Sequence, residues 1–181
     1  MTTDSSDDLL GASSPVTAEK LTDLQVQLRE ATAKEAWPEV RATVVIICEI
    51  QLQCARRIWR AVQLLRVELG SQPRPETKFT IIKGVAGAME EAAEKLCARV
   101  AGKQADAGLH LPLEFSEQNN RLTAFLGFCS LLSNRTREDE VLECLARIQK
   151  ESEGLIALLK IALREIRRPA LEKLGWWNVP D

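Results

Sequence analysis

The stretch from Pro38 to Leu69 constrains this chain most, because its pattern of polar residues fits a helix far better than a strand. Its polar positions recur at spacings of four, three, four and three residues, at Glu49, Gln53, Arg56, Arg60 and Gln63. The β-branched run Thr43–Ile47 would suit a strand, but the rest of the stretch is apolar over most of a helical circumference. Such a helix belongs in the middle of a bundle. We therefore expect one long helix over Pro38–Leu69, ended by Gly70.

Four further segments carry helical signals. The segment after Glu76 is close to a heptad pattern, with Phe79, Ile82 and Ala86 at alternating spacings of three and four. The sequence predicts helices over Pro15–Lys34 with a Ser14 cap, over 76–101, over Ser116–Ser133 with a Ser116 cap, and from a capping-box-like opening at Thr136–Asp139 to Arg168.

These segments predict an all-α fold, a bundle of four to five long helices. Residues 1–14 are rich in Ser, Thr, Asp and Gly and are expected to form a disordered acidic tail. Residues 15–175 are expected to form a single helical-bundle domain. Residues 176–181 are expected to form a short C-terminal tail that contains two tryptophans.

Composition narrows the class of protein. The formal net charge is -2, which disfavours a generally basic nucleic-acid-binding protein. No apolar run reaches the length of a membrane span, and the acidic N-terminus lacks the pattern of a secretory signal. We therefore expect an intracellular, cytoplasmic protein. Its five cysteines are odd in number and without C-x-x-C spacing, so buried thiols are favoured over disulfides or a zinc site.

Residues suited to catalysis are sparse. The chain has one histidine, His110, and lacks the glycine-rich loops that bind nucleotides. Nucleophilic catalysis by serine or cysteine normally needs a histidine base, and di-iron bundles need several histidines. The sequence therefore predicts a non-enzymatic protein with no cofactor and no metal.

The adjacent tryptophans, Trp176 and Trp177, admit two interpretations. They could fold back onto one end of the bundle, or they could anchor a partner, because Trp is a favoured hot-spot residue. The sequence leads us to expect an adaptor or regulatory protein that binds other proteins, with self-association to a homodimer included. The expected contact residues are Trp176, Trp177, Val179 and an apolar strap formed by Leu109, Leu111 and Leu113.

A nucleic-acid-associated protein is the alternative hypothesis. Two groups of arginines, if adjacent in the fold, would form a patch that binds phosphates. The same arginines could instead pair with nearby glutamates. The absence of tyrosine could reflect a GC-rich genome or an overlapping reading frame. An overlapping frame would suit a small viral nucleocapsid or silencing factor. The residues are Arg56, Arg57, Arg60, Arg164, Arg167 and Arg168.

Overall fold

The computed structural model describes residues 13–69, 77–102 and 108–177. Six α-helices occupy these ranges, which confirms the predicted all-α class. In these ranges the β-type pairing is limited to one isolated bridge, between His110 and Trp177. None of the described helices has an apolar stretch that could span a membrane. The helices are α1 Ala18–Ala33, α2 Trp37–Leu69, α3 Thr77–Ala101, α4 Leu111–Ser133, α5 Asp139–Glu165 and α6 Arg168–Lys173.

Helices α2 to α5 form an antiparallel four-helix bundle in which each helix contacts two others. Helix α2 packs against α3 and α5, and α4 packs against the same two helices. The direction of α3 follows from Arg41, near the start of α2, which donates to the carbonyl of Gly102 just after α3. In the same way, Arg99 near the end of α3 pairs with Glu114 near the start of α4, at 2.8 Å. Along α5 the contacts with α2 run in reverse order, with Arg57 at Glu151 and Ala61 at Cys144. Helices α2 and α4 therefore run one way, and α3 and α5 the other.

Helix α1 lies outside this bundle, in the groove between α2 and α5. Val16 lies against Gly154 of α5, where an added Cβ would meet the Val16 side chain at 3.3 Å. Farther along, Gln25 and Arg29 donate to Glu165 near the end of α5, so α1 and α5 run parallel. In a four-helix bundle the groove between α3 and α4 lies on the opposite side, and no other described helix covers it.

The core confirms the helical interpretation of the two long apolar stretches. In α2, Val44 and Ile47 from the β-branched run are fully buried within the helix. The heptad-like positions of α3 are also buried, so they face the chain's own core. Trp59 of α2 lies over α3, its ring 3.5 Å from where a Cβ on Gly87 would be. The buried α3 positions are Phe79, Ile82, Ala86, Met89, Ala93, Leu96 and Val100.

Two predicted helix starts were wrong. Thr17, not Ser14, caps α1, because its Oγ1 accepts from the Lys20 amide at 3.1 Å. Helix α4 begins at Leu111, and His110 replaces Ser116 as its cap. Two residues of the predicted apolar strap, Leu111 and Leu113, therefore belong to the first turn of α4, and Leu109 precedes it.

The end of the longest predicted segment also differs. Helix α5 ends at Glu165, and α6 starts separately at Arg168 with Pro169 in its first turn. Proline suits that position, because its missing amide hydrogen would have no helical partner there. Thr136 does not cap α5, since the N-cap is Glu138, which makes no side-chain capping bond. Of the predicted disordered N-terminal tail, residues 1–14, only Ser13 and Ser14 lie among the described residues.

Candidate functional site

The C-terminal tryptophans fold back onto the bundle. Trp176 is 2% exposed and belongs to the hydrophobic core. Its amide donates to the Leu171 carbonyl at 2.8 Å, and its carbonyl accepts from the Leu111 amide at 3.0 Å. The guanidinium of Arg41 lies 5.9 Å from its ring centroid. In this conformation Trp176 has no surface to offer a partner, and the predicted boundary at 175/176 falls inside a packed segment.

Trp177 is half-buried and makes one contact with an aromatic ring and one with a cation. Its ring centroid lies 4.6 Å from that of His110 and 5.2 Å from the guanidinium carbon of Arg168. His110 is fixed in turn, because its Nδ1 accepts from the Leu113 amide at 3.2 Å as the cap of α4. This geometry gives His110 a structural role.

The apolar strap is divided between core and surface. Leu109 and Leu111 are fully buried, so neither can contact a partner without displacing the chain's own packing. Leu113 is 51% exposed. Val179 lies outside the described residues. The six predicted contact residues therefore do not form one exposed surface.

The two groups of arginines do not meet. Arg57 pairs with Glu151 of α5 at 2.9 Å, and Arg164 lies farther along α5 by about 20 Å at 1.5 Å per residue. Arg56 is engaged by Glu90 and Glu94, whereas Arg60 is exposed. The predicted phosphate-binding patch is not formed, because the groups are separated and the first is largely paired with carboxylates.

The second group is also engaged by carboxylates, because Arg164 pairs with Glu165 and Arg168 pairs with Glu172. Glu165 is 8% exposed and accepts from Gln25 at 2.8 Å, Arg29 at 2.9 Å and Arg164 at 3.2 Å. Hydrogen bonds from Arg29 and Gln25 lower the pKa of Glu165 to about 2. Arg29, Glu165 and the exposed Arg167 line a cleft of about 220 Å³ beside Trp37. Arg168 pairs separately with Glu172 at 2.7 Å.

The thiols are shielded rather than activated. Burial is the main cause that raises the pKa of Cys48, Cys54 and Cys97, and it raises that of Cys129 to about 12. The Cys144 thiol donates to the Ala61 carbonyl at 3.6 Å. Across residues 13–69, 77–102 and 108–177, no three potential metal ligands of the His, Cys, Asp or Glu type cluster together.

A surface that the sequence analysis missed lies over the uncovered groove between α3 and α4. On α3, Arg99 pairs with Glu114 of α4 and therefore marks the side of α3 that faces α4. Ile81 lies five whole helical turns before Arg99, so it is on the same side. On α4, Leu131 lies at a matching height, nearly five turns after Glu114. Both are exposed, at 38% and 47%. We call this surface the α3–α4 face and define it by Ile81, Gly84, Ala88, Ala124, Gly127 and Leu131.

All six residues of the α3–α4 face are exposed and uncharged. A Cβ added at Gly84 or at Gly127 would meet no atom within 4 Å, so both positions open outward. Beneath them, Val85 and Phe128 are half-buried and pack against the core. The sequence pattern does not indicate this surface, because finding it requires the relative position of α3 and α4 along the bundle axis.

Comparison with known proteins found no matching family model, no matching curated protein and no matching solved structure. The function is therefore argued from the surfaces and interior of this chain. Among the surfaces described, the α3–α4 face combines large exposed apolar side chains with an absence of charge.

Proposed function

We propose that this protein is a non-enzymatic adaptor or regulatory protein that binds an apolar helical surface through its α3–α4 face. The observation that carries the proposal is the uncharged, exposed face itself, which lies on the one groove opposite α1. Contiguous apolar patches on soluble proteins commonly mark interaction sites. The expected function class is retained, but the contact residues move from the C-terminal segment to the middle of the bundle.

The shape of the face suits a helix. In α1, Leu24, Leu28 and Ala31 are buried against the groove between α2 and α5, which shows how an amphipathic helix fills a groove of this bundle. The groove on the other side carries Gly84 and Gly127, where the absence of side chains allows a close approach of another backbone. A partner helix would cover Ile81 and Leu131 and remove their apolar surface from water.

The site can be tested with a photo-crosslinking amino acid placed at exposed alanines of the full chain in cells that produce it. Positions Ala88 and Ala124 lie on the α3–α4 face, whereas Ala98 and Ala146 are exposed elsewhere, on α3 and α5. We expect discrete crosslinked species from Ala88 and Ala124, and their loss when Gly84→Arg is added. Equal crosslinking from Ala98 and Ala146 would contradict the proposal.

A further inference from the structure

We propose that the occupant of the α3–α4 face is a second copy of this chain, packed as a two-fold symmetric dimer. This inference rests on the proposed function, because it names the partner of the same face. Symmetric dimers are the commonest soluble assemblies, and they require a surface that is complementary to itself.

The order of side-chain sizes along the face supplies that complementarity. Along α3 a bulky residue, a glycine and a small residue follow one another as Ile81, Gly84 and Ala88. Helix α4 runs the other way and has the reverse order, with Ala124, Gly127 and Leu131. The bulky residues of both helices therefore lie at one end of the face, and the alanines lie at the other end.

Consider a two-fold axis that passes through Gly84 and Gly127, in the plane of the interface and perpendicular to the helices. This axis places each bulky residue opposite a small residue of the partner subunit. It packs α3 antiparallel on α3 of the partner subunit, and α4 antiparallel on its α4. Ile81 then lies over Ala88 of the partner subunit, and Leu131 lies over Ala124 of the partner subunit. Gly84 faces its own counterpart, where two backbones can approach without side chains between them.

Charge also permits a second copy. Toward the alanine end, the face is bordered by Glu91 paired with Lys95 at 2.5 Å and by Glu117 paired with Arg121 at 3.9 Å. Each border pair is neutral overall, so a second copy would bury no unpaired charge there. At this end a strongly acidic or basic partner would find no net opposite charge. At the other end the exposed Arg135 lies one turn beyond Leu131.

Disulfide trapping tests the axis directly. In the proposed dimer, Gly84→Cys places two thiols at the symmetry axis, where the Cα atoms can approach within the reach of a disulfide. We expect a covalent dimer under mild oxidation, above the background of the wild-type chain with its own cysteines. Ala98→Cys, exposed on the same helix but about 21 Å from the axis, is the matched control and should stay at background.

Introducing opposite charges at Ile81 and Ala88 tests the register of the two copies of α3. Dimerisation of each variant is measured by sedimentation at several protein concentrations. Ile81→Glu or Ala88→Arg alone should weaken dimerisation by about 100-fold, because each dimer would bury two unpaired charges. The double variant Ile81→Glu with Ala88→Arg should recover dimerisation, because each new acid would face a new base across the axis. Within one helix the two positions lie about 10 Å apart, too far for that pairing.

The outcomes separate this inference from the proposed function. A chain that stays monomeric at its highest soluble concentration, with no Gly84→Cys dimer, overturns the dimer. If crosslinks to another protein still map to Ala88 and Ala124, the proposed function stands with a different occupant. A dimer that is indifferent to changes at Ile81 and Ala88 uses another surface, which also overturns the inference. Both proposals fail if the chain is monomeric and the face forms no crosslinks.

Discussion

At the scale of single residues, Gln51 is the least expected feature of the interior. It is 1% exposed on the buried side of α2, and among the described residues neither polar atom of its amide has a hydrogen-bond partner. A buried amide without partners costs more free energy than an apolar group of the same shape. The sequence could not reveal this residue as buried, because glutamine is usually exposed.

We expect Gln51→Met to raise the free energy of unfolding by about 1–2 kcal/mol, because it removes an unsatisfied amide while keeping the length of the side chain. Urea unfolding followed by circular dichroism measures the change. Gln53→Met, on the exposed side of the same helix, is the matched control and should change stability little. Loss of stability in Gln51→Met would show that the amide has a polar partner, such as a buried water.

At the scale of helices, α4 shows how far a hydrophobic pattern can locate an element. The apolar spacing along α4 predicts five inward-facing residues, of which Leu122, Phe125, Cys129 and Leu132 are buried and Leu126 is half-buried. Its first turn was missed because Leu111, Leu113 and Phe115 alternate as in an extended segment, and because Ser116 is a better cap by residue type than histidine. His110 caps the helix through a ring nitrogen, which residue preferences for capping positions do not predict.

The capping assignment leads to a direct comparison of two substitutions. His110→Ala removes the acceptor for the Leu113 amide and the ring beside Trp177, so we expect a loss of about 1 kcal/mol or more in stability. Ser116→Ala removes the cap that the sequence suggested, and it should have a much smaller effect. Chemical denaturation of both variants measures the difference; equal losses would argue against His110 as the cap.

At the scale of the whole molecule, the two sides of the bundle explain what a sequence can and cannot predict. Periodicity within one segment is enough to predict that a segment is helical. It also predicts the buried heptad-like positions of α3 and the central position of α2. The α3–α4 face depends on the relative height of two helices, and the separation of the arginines depends on which helices are neighbours. Neither is encoded in local spacing, so the candidate site emerged with the tertiary structure.

Glu165 accepts hydrogen bonds from Gln25 and Arg29 of α1, and this contact gives stability a pH dependence with a definite sign. The pKa of Glu165 is lowered in the fold to about 2, so its contribution to stability is fully present above the ordinary glutamate pKa. That contribution is lost as the pH falls from about 4.3, the ordinary glutamate pKa, toward the folded value.

We expect Glu165→Gln to lower stability at pH 7, and we expect its difference from the wild type to shrink as the pH falls toward the folded pKa. Urea unfolding at a series of pH values measures this difference. Glu172→Gln removes a carboxylate that is 51% exposed and pairs with Arg168, so its effect at pH 7 should be smaller. A difference that stays constant on acidification would show that the Glu165 charge does not stabilise the fold.

The shielded thiols bear on how the protein withstands oxidation. Oxidants attack the thiolate rather than the thiol, and burial holds Cys48, Cys54 and Cys129 in the thiol form. None of the five cysteines forms a disulfide, so the described fold has no covalent bond for a reductant to break. These three buried thiols can therefore stay unmodified in reducing and in mildly oxidising surroundings.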